Sequence, residues 1–305
     1  MPVRFVFVTD SHHYPDAPKN YAAPKMLTQS QKILDAMVPA INAVSPDFIV
    51  HGGDLLSGGG TFEMPTNTYH RSIDEVAEAF DQLQAPIYYV PGNHDCDART
   101  GSFVPFARRF PIPDTIDVFD SAPGIRIATA NIYQCDPFTD GQGVWTDELD
   151  QALSDVALEA SDRGCALILA LHTWILPLEG ETGSTAIITH ADRLLETIAE
   201  HAAIVMVLTG HRHTNRICLT NGCLLLDTAC IIGYPMGFRE ISLYESGKVR
   251  TTFRQLDLPD LVQQSYDRST PEQNLGWAGT VQDRNRELML PRLQAIWNGN
   301  QRVGC

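Results

Sequence analysis

The run AIVMVLTGHRH, residues 203–213, joins a strongly apolar segment to two histidines two positions apart. Its apolar part has the composition of a strand that is buried on both faces, as strands of parallel sheets are. A glycine then precedes the histidines, at the point where such a strand would end. The run therefore predicts a central strand of an α/β sheet that delivers two imidazoles to one edge of that sheet.

Four other runs share this construction, with a short apolar segment followed by polar residues of metal-ligating types. They are RFVFVTD (4–10), DFIVHGGD (47–54), PIYYVPGNHD (86–95) and CALILALHTW (165–174). Between the runs, apolar residues recur at three- and four-residue spacing, which predicts amphipathic helices over 26–43, 72–84, 146–161 and 190–200. Ser72 and Glu75 predict a capping box at the start of the second helix. This alternation predicts an α/β fold whose N-terminal half has parallel strands joined by right-handed crossovers.

The last third of the chain changes from this alternation to a pattern of hairpins. Residues 216–227 and 238–256 each contain two β-rich segments around a turn sequence. The turns are predicted at 220–222 and 245–247, where Gly222 and Gly247 allow the chain to reverse. We expect both hairpins to add antiparallel strands to a second sheet.

The final residues are first polar and then have a helical pattern. Residues 284–297 predict a helix in which Pro291 causes a kink or a break. The chain is therefore expected to consist of a domain over residues 1–256 and a partly helical extension over residues 257–305. The pattern is compatible with two roles for this extension, as a cap on the domain or as a homo-oligomer contact.

Composition limits the classes of function. The formal net charge is −15 at pH 7, and 44% of the residues are hydrophobic. This acidity argues against a nucleic-acid duplex or a membrane as partner, because both are bound through Lys and Arg. The sequence enters a strand pattern directly and shows no signal peptide or spanning segment, so we expect a cytoplasmic location. Seven cysteines without a C-x-x-C pair are typical of reduced thiols.

The polar residues that end the five runs form a candidate metal site. Ligands of open α/β sheets bind at the carboxyl ends of the strands, and we expect all five runs to end at one edge. That edge would collect Asp10, His12, Asp54, Asn93, His172, His211 and His213. Carboxylates, imidazoles and an amide, without a thiolate, suit Mn, Fe or Zn, and this number of ligands suits two ions about 3.5–4 Å apart. Residues i and i+2 of a strand point the same way, so His211 and His213 can reach two neighbouring ions.

The series D-x-H, G-D, G-N-H-D, H and G-H-x-H, in this order, resembles the calcineurin-like metallophosphoesterases over roughly residues 4 to 254. It looks closest to the small bacterial branch that contains cyclic-nucleotide and glycerophosphodiester phosphodiesterases. The resemblance implies a four-layer α/β/β/α fold, in which two sheets form a β-sandwich flanked by helices. It also implies two divalent or trivalent metal ions and hydrolysis of a small phosphodiester by in-line attack of a metal-bridging hydroxide.

The resemblance further implies a role for each motif residue. Asp10, His12 and His213 would hold the first metal, and Asn93, His172 and His211 the second. Asp54 would bridge both metals. His94 would be the catalytic residue, which faces the scissile phosphate and stabilises the transition state or protonates the leaving oxygen. Two alternatives remain, a phosphomonoesterase of the same fold and a catalytically silent scaffold.

Substrate recognition is less clearly marked in the sequence than the metal ligands. Ser57 stands where protein phosphatases of the family carry Asp, and Thr173 follows the fourth motif where the branch often has a second His. Polar loops at 14–25, 57–69, 134–143 and 174–184 would wall the pocket of a small-molecule substrate. His13, Tyr14 and Trp174 are the candidate substrate contacts in or beside these loops. Asp95 is expected to orient an imidazole or to cap the turn that follows it, and Arg212 to point away from the metals.

Overall fold

Strands of the chain form two sheets of six strands each in the computed structural model, which describes residues 2–133, 141–178 and 187–299. The first sheet contains β1 (Val3–Val8), β2 (Phe48–His51), β3 (Ile87–Tyr89), β10 (Gly237–Leu243), β11 (Lys248–Gln255) and β12 (Asn285–Met289), in the order β12-β11-β10-β1-β2-β3. The second contains β4 (Ile116–Ala122), β5 (Ile125–Ala130), β6 (Ala166–Ala170), β7 (Ile204–Thr209), β8 (Arg216–Thr220) and β9 (Cys223–Asp227), in the order β4-β5-β6-β7-β9-β8.

Helices lie on the outer faces of both sheets and near the C-terminus. They are α1 (Ser30–Val44), α2 (Thr66–Phe80), α3 (Val104–Ala107), α4 (Asp147–Asp162), α5 (Ala191–Glu200), α6 (Pro259–Tyr266), α7 (Pro271–Ala278), α8 (Val281–Arg284) and α9 (Pro291–Gly299). A short 3-10 turn, Leu27–Gln29, precedes α1. No helix in the described ranges is both long and apolar enough to span a bilayer.

Alternating side chains of the strands produce three apolar layers. Phe5 and Phe7 of β1 face the second sheet and pack in one cluster with its Ile168. Val6, between them, faces outward and packs with α1 and α2, for example with Ile33. Leu167 and Leu169 of β6 likewise pack outward against α4 and α5. The layers therefore run helix, sheet, sheet, helix, which confirms the predicted four-layer α/β/β/α fold.

The five runs of the sequence form parallel strands, but they are divided between the two sheets. β1, β2 and β3 are parallel neighbours in the first sheet, whereas β6 and β7 are parallel neighbours in the second. The expectation that all five end at one edge of a single sheet is therefore wrong. The two sheets are stacked, and this packing is what brings their carboxyl ends together.

Both predicted hairpins form, each with the predicted turn. Asn221 and Gly222 have φ values of 49° and 78°, as a two-residue turn between β8 and β9 requires. The two hairpins join different sheets, however, since β9 pairs with β7 and β10 pairs with β1. The expectation that both belong to a second sheet is wrong for β10 and β11. The hairpin of β4 and β5 is a further element that the sequence patterns did not indicate.

Two helix predictions need correction. α2 begins at Thr66, so Ser72 lies inside it, where its Oγ donates to the backbone oxygen of Tyr69 at 2.7 Å instead of capping the helix. Residues 285–289, predicted as helix, form β12 and pair antiparallel with β11. The open edge of β11 offers hydrogen bonds that a strand can use and a helix cannot. The division at residue 256 stays a prediction, although β12 beyond it completes the first sheet.

The cysteines are mostly reduced in the described parts of the chain. Cys96, Cys218, Cys223 and Cys230 are free thiols. Cys165 is disulfide-bonded, so the expectation of reduced thiols is wrong at that position.

Candidate metal centre

The residues that follow the strands have an unusual backbone. Five of the seven predicted ligands have positive φ angles: Asp10 (56°), His12 (42°), Asp54 (54°), His211 (68°) and His213 (57°). Left-handed backbone costs a non-glycine residue free energy, and such residues concentrate at functional sites. β7 ends at Thr209, so His211 and His213 lie beyond the strand and the alternation expected for them does not apply. The tight turns, not the pleat of the strand, direct their side chains.

Backbone hydrogen bonds hold these turns against one another. Asp10 N donates to Gly53 O at 3.0 Å, and His12 N donates to Asp54 O at 2.9 Å. Across the two sheets, His211 N donates to Asp10 Oδ2 at 3.0 Å. The ends of β1, β2 and β7 are thereby fixed relative to one another before any ligand is considered.

The first cluster consists of Asp10, His12 and His213, all buried. Asp10 Oδ1 lies 3.2 Å from His213 Nε2 and 3.8 Å from His12 Nε2. The two imidazole Nε2 atoms are 3.3 Å apart. Three ligand atoms therefore converge on one point, as they do around a bound cation.

The second cluster consists of Asp54, His172 and His211. Asp54 Oδ2 lies 3.2 Å from His172 Nε2, which is 3.3 Å from His211 Nδ1. Asn93 borders this cluster, because a Cβ placed on Gly141 would lie 3.0 Å from Asn93 Cγ and 3.1 Å from His211 Cε1. The structure thus brings all seven predicted ligands together in two adjoining groups.

Asp54 connects the two groups. Its Oδ2 lies 3.6 Å from His12 Nε2 of the first cluster and 3.2 Å from His172 Nε2 of the second. Its Oδ1 accepts a hydrogen bond from His94 N at 2.8 Å. The carboxylate is therefore oriented so that one oxygen faces both clusters, as the bridging role requires.

The polar atoms of the site fit a pair of metal ions. Among the described residues, Asp10 Oδ1 and Asn93 Oδ1 are buried and find no hydrogen-bond partner, although an unsatisfied buried acceptor is costly. Two pairs of imidazole nitrogens face each other at 3.3 Å, where their lone pairs would be satisfied by a cation between them. Oxygen and nitrogen donors without thiolate match the predicted Mn, Fe or Zn in type.

The charge state of the metal-free site also favours cations. Burial lowers the pKa of His211 to about 3, and the neighbouring His172 lowers it as well. Burial alone would raise the pKa of Asp10, but His213 holds it below its ordinary value. For His172, burial opposes protonation, but the Asp54 carboxylate raises its pKa to about 9. The carboxylates are thus ionised near neutral pH, and a cation would replace the proton on His172.

A second set of contacts orients the ligands. His172 Nδ1 donates to Gly52 O at 2.7 Å, which directs Nε2 toward the cluster. Asp95 accepts from Gly92 N at 2.8 Å, Asp54 N at 2.9 Å and Leu56 N at 3.0 Å. These N–H groups all precede Asp95 in the chain, so the contacts are not those of a cap on the following turn, and the role of orienting an imidazole stays a prediction. Asp95 instead fixes the turn that carries Asp54.

His94 lies beside the clusters without joining either of them. Its Nδ1 donates to Gly58 O at 2.8 Å, so its Nε2 is the nitrogen that remains for substrate. Its ring is 5.1 Å from that of His12 and 4.7 Å from that of Phe62, between centroids. Phe62, in the loop over 57–69, therefore forms an apolar wall against the imidazole.

The three residues predicted to contact substrate are all buried, and each contacts a different residue of the chain. His13 Nε2 lies 2.7 Å from Glu75 Oε2, and Tyr14 stacks on Tyr21 with ring centroids 6.5 Å apart. Trp174 lies beneath Arg216, whose Cζ is 4.1 Å from the ring centroid. Arg212 also approaches Trp174, at 5.8 Å. Their contact with substrate stays a prediction. Residues 134–140 and 179–184 of the other two predicted loops lie outside the described residues.

A family profile described as calcineurin-like phosphoesterase matches residues 3–215. The chain belongs to the calcineurin-like phosphoesterase family. A comparison with curated proteins gives no match. The matched range includes all seven candidate ligands and His94, and the resemblance inferred from the motifs is confirmed.

Solved structures of similar fold include phosphatases of the family. A dimetal phosphatase from Danio rerio has a TM-score of 0.69 at 14% identity, with 95% of this chain and 100% of that chain covered. A purple acid phosphatase from yellow lupin has a TM-score of 0.59 at 14% identity, with 88% and 52% covered. An anchor protein of the inner membrane complex of Plasmodium has a TM-score of 0.50 at 14% identity, with 88% and 94% covered. At these identities the likeness shows the shared fold alone.

Proposed function

We propose that this calcineurin-like phosphoesterase hydrolyses small phosphodiesters, of the cyclic-nucleotide or glycerophosphodiester type, by in-line attack of a hydroxide at phosphorus. The observation that carries the proposal is the position of Asp54, whose Oδ2 faces both ligand clusters at 3.6 Å and 3.2 Å. Two adjoining metal sites with one shared carboxylate suit displacement at phosphorus. His94 beside them supplies a group for proton transfer.

The ligands divide between two ions in this proposal. Asp10, His12 and His213 would hold one ion, Asn93, His172 and His211 would hold the other, and Asp54 would be shared between them. Ions bound here would polarise phosphoryl oxygens and lower the pKa of water toward neutral pH, which would provide the hydroxide. Which of Mn, Fe or Zn is bound depends on supply as well as on affinity.

In this proposal, His94 acts on the leaving oxygen. The Gly58 carbonyl fixes a proton on Nδ1, so Nε2 faces the site. Burial lowers the pKa of His94, while Asp54 and the Gly58 carbonyl favour its protonated form. An imidazolium there would donate to the departing alkoxide, and its loss would slow turnover without removing a metal ligand.

The preference for diesters rests on the resemblance to the small bacterial branch, because the same clusters also serve a monoesterase. Ser57 stands where protein phosphatases of the family carry Asp, which supports a function outside that group. Its Oγ donates to His12 O at 2.8 Å and stabilises the turn. We further propose a small-molecule substrate, no duplex or membrane partner, a cytoplasmic location and a homo-oligomer contact through residues 257–305.

Metal content by elemental analysis, paired with hydrolysis of bis-p-nitrophenyl phosphate before and after chelation, tests the proposal. We expect nearly two metals per chain, with activity lost to chelator and restored by Mn²⁺ or another divalent ion. Faster hydrolysis of mono-p-nitrophenyl phosphate would favour the monoesterase. Fewer than one metal per chain and no turnover with any added ion would contradict both, and would favour a silent scaffold.

A further inference from the structure

Lys25 ends the loop over residues 14–25, and its backbone is fixed beside the first cluster. It forms an isolated antiparallel bridge with Gly233. The next residue, Met26, donates its N–H to Ile232 O at 2.9 Å, and Ile232 N donates to Asp10 O at 3.4 Å. Two successive backbone contacts therefore connect the Lys25 segment to a predicted metal ligand.

The Lys25 side chain extends toward the clusters. Its Nζ lies 5.6 Å from the ring centroid of Phe62. The same Phe62 ring is 4.7 Å from the His94 ring and 5.6 Å from the His12 ring, between centroids. The ammonium thus lies on the side of the first cluster and of His94.

Electrostatic interactions agree with this position. Burial lowers the pKa of Lys25, and Asp10 and Asp54 are among the charges that oppose this effect. Lys25 therefore belongs electrostatically to the candidate metal centre, although no sequence motif includes it.

Within the described residues, Asp10 does not use Lys25 as a close partner, since its Oδ1 is 3.2 Å from His213 Nε2 and its Oδ2 accepts from Thr9 and His211. Bound metal ions would add positive charge beside the ammonium. An anion that enters with the substrate would therefore further stabilise the half-buried ammonium. This is the charge that a phosphoryl group carries.

We propose that the Lys25 ammonium binds a negatively charged oxygen of the substrate's phosphoryl group, on the side of the first cluster and His94. The inference rests on the proposed function, because it assigns Lys25 to the same substrate. It makes Lys25 a substrate-binding residue that acts beside the metals and is not one of their ligands. A contact of this kind strengthens as negative charge on the phosphoryl oxygens increases.

Binding of inorganic phosphate to the Mn²⁺-loaded full chain, measured by calorimetry, tests this assignment separately from turnover. Lys25→Met removes the charge and keeps much of the length, and we expect about tenfold to hundredfold weaker phosphate binding. Lys25→Arg, which keeps the charge, should recover part of that loss. Lys19→Met is the matched control from the same loop, because Lys19 is exposed and lies over Tyr21 at 4.6 Å. It should bind phosphate as the unmodified chain does.

Metal content is measured on every variant in parallel. Unchanged phosphate affinity in a fully loaded Lys25→Met protein would overturn the inference, and so would absence of phosphate binding to the unmodified loaded chain. Loss of metal in Lys25→Met would also overturn it, since Lys25 would then act on the ligands. Lys25-dependent phosphate binding without hydrolysis of any ester would support the inference while the proposed function fails.

Discussion

His94 is the residue at which metal binding and turnover can be separated. It is outside both clusters, and only its backbone N–H touches Asp54. We expect His94→Ala to keep its metals and to lose about 10²–10⁴-fold in turnover of bis-p-nitrophenyl phosphate, the usual contribution of a general acid. The exposed His70 provides the control, because His70→Ala should leave both quantities unchanged. Equal turnover in the two variants would remove His94 from the mechanism.

Gly92 is required by a close approach of two turns. A Cβ at this position would overlap Asp54 N and Asp54 Oδ1. Gly92→Ala should therefore displace the bridging carboxylate and reduce metal content, as elemental analysis would show. Gly276→Ala is the matched control, because a Cβ there meets nothing within 4 Å. It should retain both metals, and being within α7 it should stabilise the fold by roughly 0.5–1 kcal/mol. Full metal content in Gly92→Ala would contradict this prediction and show that the turn can move to make room for the Cβ.

At this scale the sequence predicted the ligands better than their geometry. Polar residues after apolar runs predicted seven side chains that the structure brings together, because the ends of buried strands are where a chain can place ligands; their role as ligands stays a prediction. The alternation argument for His211 and His213 was wrong, since both follow Thr209 in left-handed turns. The sequence did not indicate Lys25 as a substrate-binding residue, because no motif includes it. Its contact with Gly233 joins segments far apart in the chain.

Helix α4 offers a test of stability at the scale of one element. Its N-cap, Thr146, accepts a hydrogen bond from Leu149 N through its side chain, and three acidic residues follow in the first turn. Thr146→Ala should lower the free energy of unfolding by about 1 kcal/mol in urea denaturation. Thr146→Ser, which keeps the hydroxyl, should stay close to the unmodified chain. A loss in Thr146→Ser as large as in Thr146→Ala would assign the effect to packing and not to the cap.

Elements were predictable where local pattern and packing agree. α4 and α5 begin within one residue of their predictions, because one apolar stripe defines each of them and the Thr146 side chain also caps α4. β12 was missed because its state depends on a partner, the free edge of β11. The start of α2 was missed because Tyr69, a buried part of its apolar face, lies in a stretch that reads as loop. Tertiary contacts override local preference in both cases.

Arg239 ties distant parts of the whole molecule together. It is fully buried and donates from β10 to these acceptors: Thr228 Oγ1, Thr251 Oγ1, Asn215 Oδ1, Asp227 O, Asp283 O and Arg284 O. Arg239→Met should cost about 3–5 kcal/mol of unfolding free energy, because it leaves buried acceptors unpaired. Arg250→Met, on the exposed face of β11, should change the unfolding free energy by less than about 0.5 kcal/mol. Similar costs in the two variants would show that the buried network contributes little.

At the scale of the whole molecule, the resemblance predicted the layers correctly, whereas the pattern assigned several strands to the wrong sheet. Apolar alternation shows that a strand is buried but not which sheet covers it. β9 and β10 are both buried along their whole length, yet they join different sheets. The choice is made by pairing over long separations, which no window of sequence contains.

The pairing of β1 with β10 has a consequence for synthesis on the ribosome. β1 is translated long before β10, one of its two neighbouring strands. Val3 pairs with Leu243, so more than two hundred residues are translated between the two partners. At about 5–20 residues per second, that interval lasts on the order of 10–50 s. During it, the β10 edge of β1 has no partner, and the nascent chain presents an open strand beside Phe5 and Phe7. A chaperone that shields this edge until the second hairpin emerges would raise the yield of native enzyme, and slow folding from the full-length unfolded chain is expected for the same reason.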